Sequence, residues 1–240
     1  MKKIFCFSWA FLSLLPLSIH GKWDSFSPRQ EIRPVFHREG SGFVISSEGL
    51  RGAVGQWQNI LPVKGGEWYR FSTKRQTTDV GFPRRQVVER IIWLNAKGQK
   101  ALRDDPAHSS YRSGERPVSQ PEFPPVIGSG SDGWVSVGAV IKAPETAVSA
   151  KIELCLRWED EGSVRWKNVT FTTTPKPSPR LVRLATIHFQ PREGHSNEEK
   201  CRLFEPLIGE AANKKANLVV LPETLTYYKS GRTFAECAEP

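Results

Sequence analysis

The sequence predicts a multi-domain chain, an antiparallel β-sandwich followed by an α/β segment. Short apolar or alternating runs recur between turn signals from residue 23 to about 172. A spacer with prolines at alternate positions, Pro175, Pro177 and Pro179, comes next. Beyond it the order changes to strand, helix, strand, closing on Leu221-Pro222-Glu223. With 240 residues, 38% of them hydrophobic, the chain can fill one large or two modest cores.

The first segment reads as an export signal. Lys2 and Lys3 supply a positive start, and Ile4 to Leu17 is apolar apart from Ser8, Ser13 and Pro16. That run is short for a membrane span, so residues 1–21 are assigned as a cleaved signal peptide. The mature protein is then expected to be secreted or periplasmic, without a membrane attachment. Cleavage leaves Cys155, Cys201 and Cys237, an odd set that cannot form a complete disulfide framework. The five histidines are scattered and neither CxxC nor HxxxH spacing occurs, so no metal and no cofactor are expected.

The charge balance is uneven. Residues 22–180 carry twenty-four Lys and Arg against seventeen Asp and Glu, a net of +7, whereas residues 181–240 carry eight of each. The basic residues are dispersed among acids, with only short pairs such as Arg84-Arg85. A nucleic-acid site would gather them on one element, so no nucleic-acid partner is expected.

Residues 22–172 form the predicted sandwich, which is jelly-roll-like. Its strands are Gly42 to Ser46, Val54 to Leu61, Trp68 to Thr73, Val87 to Leu94, Trp134 to Ile141, Val148 to Trp158 and Val164 to Phe171. In Lys151 to Trp158 the period of two is clear. Ile152, Leu154, Leu156 and Trp158 are expected to face the core, and Lys151, Glu153, Cys155 and Arg157 the other side. Trp134 is likewise expected in the core. Asp104 to Gly133 holds five prolines and four glycines, has no strand-like run beyond Pro125-Val126-Ile127, and reads as an extended surface loop. Residues 173–180 are a stiff linker.

Residues 181–240 begin with a strand over Leu181 to Phe189. Ser196 and Glu199 have the spacing of a helix capping box. Leu203, Phe204, Leu207, Ile208, Ala211 and Ala212 follow as a buried stripe, with Pro206 set to kink or split the helix. A second strand, Leu218 to Leu221, precedes Glu223. A carboxylate held just past an apolar strand is costly, on the order of several kcal/mol when buried unpaired. A carboxylate kept there with a raised pKa would suit a general base, which makes Glu223 the candidate catalytic residue.

Strand one, the Glu210-Ala211-Ala212 stretch, and Leu218-Val219-Val220-Leu221-Pro222-Glu223-Thr224 resemble the opening of carbon–nitrogen hydrolases of the nitrilase superfamily. The resemblance implies a four-layer α-β-β-α domain with a Glu-Lys-Cys mechanism. The cysteine attacks a nitrile or amide carbon, the glutamate acts as base, and the lysine steadies the tetrahedral species. Only Glu223 matches a member of that set. In the family the lysine and cysteine lie far downstream, whereas seventeen residues follow Glu223 here. Cys237, Lys229 and Cys201 do not have the required placement, and His188 stands where relatives carry glutamine. The expected reading is an N-terminal fragment of an exported hydrolase, inactive alone, with an incomplete α-β-β-α layer. Its complete form would take a small amide or nitrile.

The front domain also resembles the jelly-roll modules of carbohydrate-binding proteins, through Trp57-Gln58, Trp68-Tyr69-Arg70-Phe71, Gly133-Trp134 and Val164 to Val169. That resemblance implies a glycan partner. It supplies the alternative reading of a secreted, non-enzymatic binding module for glycan or another surface ligand. Substrate and oligomeric state are not legible.

Overall fold

The computed structural model describes residues 22–106 and 113–238. The expected export signal, residues 1–21, lies outside the described residues. Among these residues no helix is long and apolar enough to cross a membrane. Contacts divide the chain into two units, one ending at Pro177 and the other starting at Ser178.

In chain order the first unit holds β1 (Asp24–Phe26), β2 (Val35–Glu39), β3 (Gly42–Ser46), β4 (Ala53–Pro62) and β5 (Trp68–Thr78). A one-turn helix α1 (Pro83–Gln86) follows, then β6 (Val87–Leu94), β7 (Val126–Ser129), β8 (Val135–Lys142), β9 (Ser149–Glu159) and β10 (Ser163–Thr173). Two antiparallel sheets result, one ordered β1-β4-β9-β6 and the other β2-β3-β10-β5-β8-β7. From β4 onward the chain alternates between the sheets except at β7 and β8, which pair within the second sheet, giving a jelly-roll-like β-sandwich.

The alternation read in β9 builds the contact between the sheets. Ile152, Leu154 and Leu156 are fully buried against Trp93, Trp166 and Phe71. Tyr69 and Phe171 stack with ring centroids 5.0 Å apart. Burying each such side chain contributes roughly 1.5–3 kcal/mol. Gly55 of β4 faces the Phe36 ring of β2 and Pro34, and a Cβ there would sit 2.5 Å from that ring.

Some elements depart from the sequence reading. The segment read as an extended loop carries β7, and Glu122 and Val118 form single bridges to Ile91 and Leu102. Its prolines preclude a long ladder yet permit edge pairing, which needs few donors. The short β1 and β2 lie at sheet edges and were not anticipated. Cys155, placed by period on the less protected side, is only 1% exposed.

The second unit holds β11 (Leu184–Thr186), α2 (Asn197–Arg202), α3 (Glu205–Asn213), β12 (Leu218–Val220) and α4 (Phe234–Cys237). β11 and β12 pair in parallel. The capping box at Ser196 and Glu199 is formed. The predicted helix is split, with Pro206 in the first turn of α3, where its missing N–H is not needed. The first strand spans three residues rather than the nine expected. The described residues of this unit form one two-stranded parallel sheet with short helices, not an α-β-β-α layer.

Candidate functional site

Glu223 stands three residues beyond the carboxyl end of β12, in a turn, and is exposed. It lines a recess of about 150 Å³ with His188, Gln190, Tyr227 and Tyr228. Among the described residues its carboxylate has no hydrogen-bond or ion-pair partner. The next residue, Thr224, adopts φ 53°, a left-handed conformation costly for a β-branched side chain. Among the described residues neither a cysteine nor a lysine lines the recess. Cys237 is buried against Ser230, with Sγ 3.5 Å from that hydroxyl oxygen. Cys201 and Lys229 are exposed and are not among its described lining residues. His188, the departure noted in the first strand, does reach the recess wall.

Lys200 escaped the sequence reading. It lies on α2 and is fully buried, its Nζ donating to the Tyr228 carbonyl at 2.6 Å and the Pro191 carbonyl at 3.3 Å. One amine thereby ties together the two loops that wall the recess. In sequence Lys200 is one of several charged residues in a capped helix, and nothing local marks it as internal.

The second candidate lies at one end of the sandwich. Trp158 was expected in the core and is 67% exposed. The β4–β9 register pairs Val54 with Arg157 and Ala53 with Glu159, leaving Trp158 as an extra, bulged residue. Its φ is 50°. Glu159 takes the inward place and accepts hydrogen bonds from the N–H groups of Asp160, Glu161 and Gly162, at 3.0, 3.3 and 3.3 Å. The tight β9–β10 turn is thus closed from inside, and the indole is turned out. Phe82, 70% exposed, precedes α1. Gln86 links the two aromatic positions by accepting from the Phe82 N–H at 2.6 Å and donating to the Trp158 carbonyl at 3.0 Å.

Beside α1 a cleft of about 590 Å³ opens between the sheet edges, lined by Arg75, Arg84, Glu89 and Phe123. At its floor Arg75 Nη1 donates to Glu89 Oε2 at 2.8 Å and to the Val87 carbonyl at 3.0 Å. Trp166 donates its indole N–H to the other Glu89 oxygen at 2.7 Å. Burial pushes the Glu89 carboxyl above the ordinary glutamate range, and the Arg75 charge and these hydrogen bonds oppose it.

On the outer face of the first sheet, Glu153 is enclosed by charged neighbours. It pairs with Arg90 Nε, with Lys151 Nζ at 2.9 Å, and accepts from Gln56 Nε2 at 2.7 Å. Burial pushes the adjacent Cys155 thiol up to about 12, which leaves it protonated and unreactive at neutral pH. Trp134, also expected in the core, instead lies under Lys167, with Nζ 3.8 Å from the ring centre. Among the described residues no group of three or more metal-ligating side chains comes together.

No protein-family model matches the chain, and no curated protein matches it. Among solved structures it is similar to the enzymatically active domain of the bacteriophage CBA120 tailspike protein 4, at 14% identity and a TM-score of 0.37. That match covers 64% of this chain and spans 18% of the tailspike chain. It is similar to a family 16 carbohydrate binding module at 12% identity and a TM-score of 0.37, covering 55% of this chain and 75% of that one. A third likeness is to the C-terminal family 22 carbohydrate binding module of Clostridium thermocellum Xyn10B. There the identity is 10% and the TM-score 0.37, over 67% of this chain and 90% of that one. Likeness at this level assigns neither family nor ligand.

Proposed function

We propose that the β-sandwich is a glycan-recognition module of an exported protein. The observation that carries this reading is Trp158, a large aromatic held in the left-handed region and turned into solvent by a bulge. Both features cost free energy that folding alone does not return. A flat indole presented to solvent matches the apolar face of a sugar ring. Export of the module rests on the basic and apolar opening of the sequence. Affinity electrophoresis over a panel of polysaccharides tests the reading. Retention by at least one polymer is expected, with Trp158→Ala abolishing most of it and changing stability by no more than about 0.5 kcal/mol. A variant retained as well as the parent would remove Trp158 from the site, and no retention across the panel would end the reading.

A second reading concerns the other unit, and Glu223 favours it. We infer that this unit is the opening layer of a carbon–nitrogen hydrolase domain, with Glu223 as its general base. Ligands in α/β sheets bind beyond the carboxyl ends of parallel strands, where Glu223 stands. Leu184, Leu218 and Val220 are 56%, 53% and 42% exposed, although parallel sheets are ordinarily covered on both faces. Further layers of the same domain would cover them and supply the lysine and the nucleophile. The chain alone is therefore expected not to hydrolyse simple amides or nitriles. Turnover of either by the purified chain, abolished by Glu223→Gln, would show that the machinery is complete without those layers.

A further inference from the structure

We propose that the cleft beside α1 selects sugars carrying a carboxylate, so that the ligand is an acidic, uronate-containing polysaccharide. The inference rests on the glycan reading and names its chemical class.

The cleft floor offers a half-used guanidinium. Arg75 makes both of its protein hydrogen bonds through Nη1, to Glu89 and to the Val87 carbonyl. Among the described residues its Nη2 and Nε have no partner, although the side chain is only 8% exposed. These two nitrogens are not cut off from solvent, so an incoming carboxylate can reach them and replace water. Glu89 holds the group in place, clamped from the far side by the Trp166 indole N–H. Arg75 itself lines the cleft.

A second guanidinium stands at the rim. Arg84 is exposed on α1, lines the same cleft and has no partner among the described residues. Two cations against the single carboxylate of Glu89 leave the cleft one positive charge in excess. Planar, forked donors suit a carboxylate better than a hydroxyl, and two of them give orientation as well as attraction. Phe123, 57% exposed, supplies an apolar wall for the ring that bears the carboxylate. The volume, about 590 Å³, lies within the range of small-ligand sites. The excess of basic residues over the sandwich domain would favour approach of a polyanion.

The test is affinity electrophoresis of the chain and its variants in gels containing polygalacturonate or alginate, neutral xylan or β-glucan, and dextran sulfate. Retention is expected on the uronate polymers, weakened about tenfold by Arg84→Gln. Arg85→Gln, which removes the same charge from the same helical turn outside the cleft lining, is expected to leave it unchanged. Equal losses in the two variants, or dextran sulfate retaining the chain as strongly as the uronates, would reduce the effect to general charge and overturn the proposal. Retention on neutral polymers alone, insensitive to Arg84→Gln, would overturn the acidic class while leaving glycan recognition standing. Retention on no polymer would overturn both.

Discussion

Trp158 and Asn168 occupy the same left-handed backbone region, at φ 50° and 54°. Asparagine tolerates it because its short amide can bond locally, whereas an indole gains nothing from the conformation. The difference singles out Trp158, and sequence could not have shown it, since strict alternation assigns that position to the core. Glu89 is the other residue whose setting was hidden. Between the ordinary glutamate value and its raised folded value, the unfolded chain has already lost a proton that the folded protein retains. Stability should therefore fall as pH rises through that window. Glu89→Gln removes this titration, and urea midpoints measured across the window should show a flatter pH dependence than the parent. Parallel profiles would mean that Glu89 titrates in the fold as it does in water.

Among elements, β9 is the most legible and also contains the largest surprise. Its inward set, Ile152, Leu154 and Leu156, follows directly from the period of two, because one face of the strand must leave water. Leu154→Ala should cost about 2–5 kcal/mol in chemical unfolding, a range set by how far the site can collapse. A loss under 1 kcal/mol would contradict tight packing between the sheets. Two residues later the same strand breaks its own pattern. The bulge arises from the demand of three turn N–H groups for the Glu159 carboxylate, a contact between positions that propensity treats separately. The helix after Ser196 shows the opposite case. Capping box and proline are both local signals, and both are expressed, as a capped start and a split before Pro206. Edge strands β1, β2 and β7 were missed or read as loop because short segments with one hydrogen-bonded neighbour need little apolar pattern.

For the whole molecule, the proline-spaced segment leads to a direct expectation. Past Thr174, which donates its N–H to the Trp68 carbonyl at 2.9 Å, residues 175–182 make no backbone hydrogen bond within a sheet or helix. Arg180 precedes Leu181, which is 93% exposed, while Lys176 is protected from trypsin by Pro177. Limited trypsinolysis should cut first after Arg180 and release an intact sandwich, as mass spectrometry of the earliest fragments would reveal. First cuts inside the β-strands would contradict a separately folded unit. By itself the sequence determined the two-sheet class, most strand positions and the helix cap, since each follows from spacing along a few neighbouring residues. Only the tertiary structure decided which aromatics leave the core, that a lysine is walled in behind the Glu223 recess, and that Arg75, Arg84 and Phe123 share one cleft. Those outcomes depend on partners dozens of residues apart, whose competition for buried space and hydrogen bonds has no signature in local pattern.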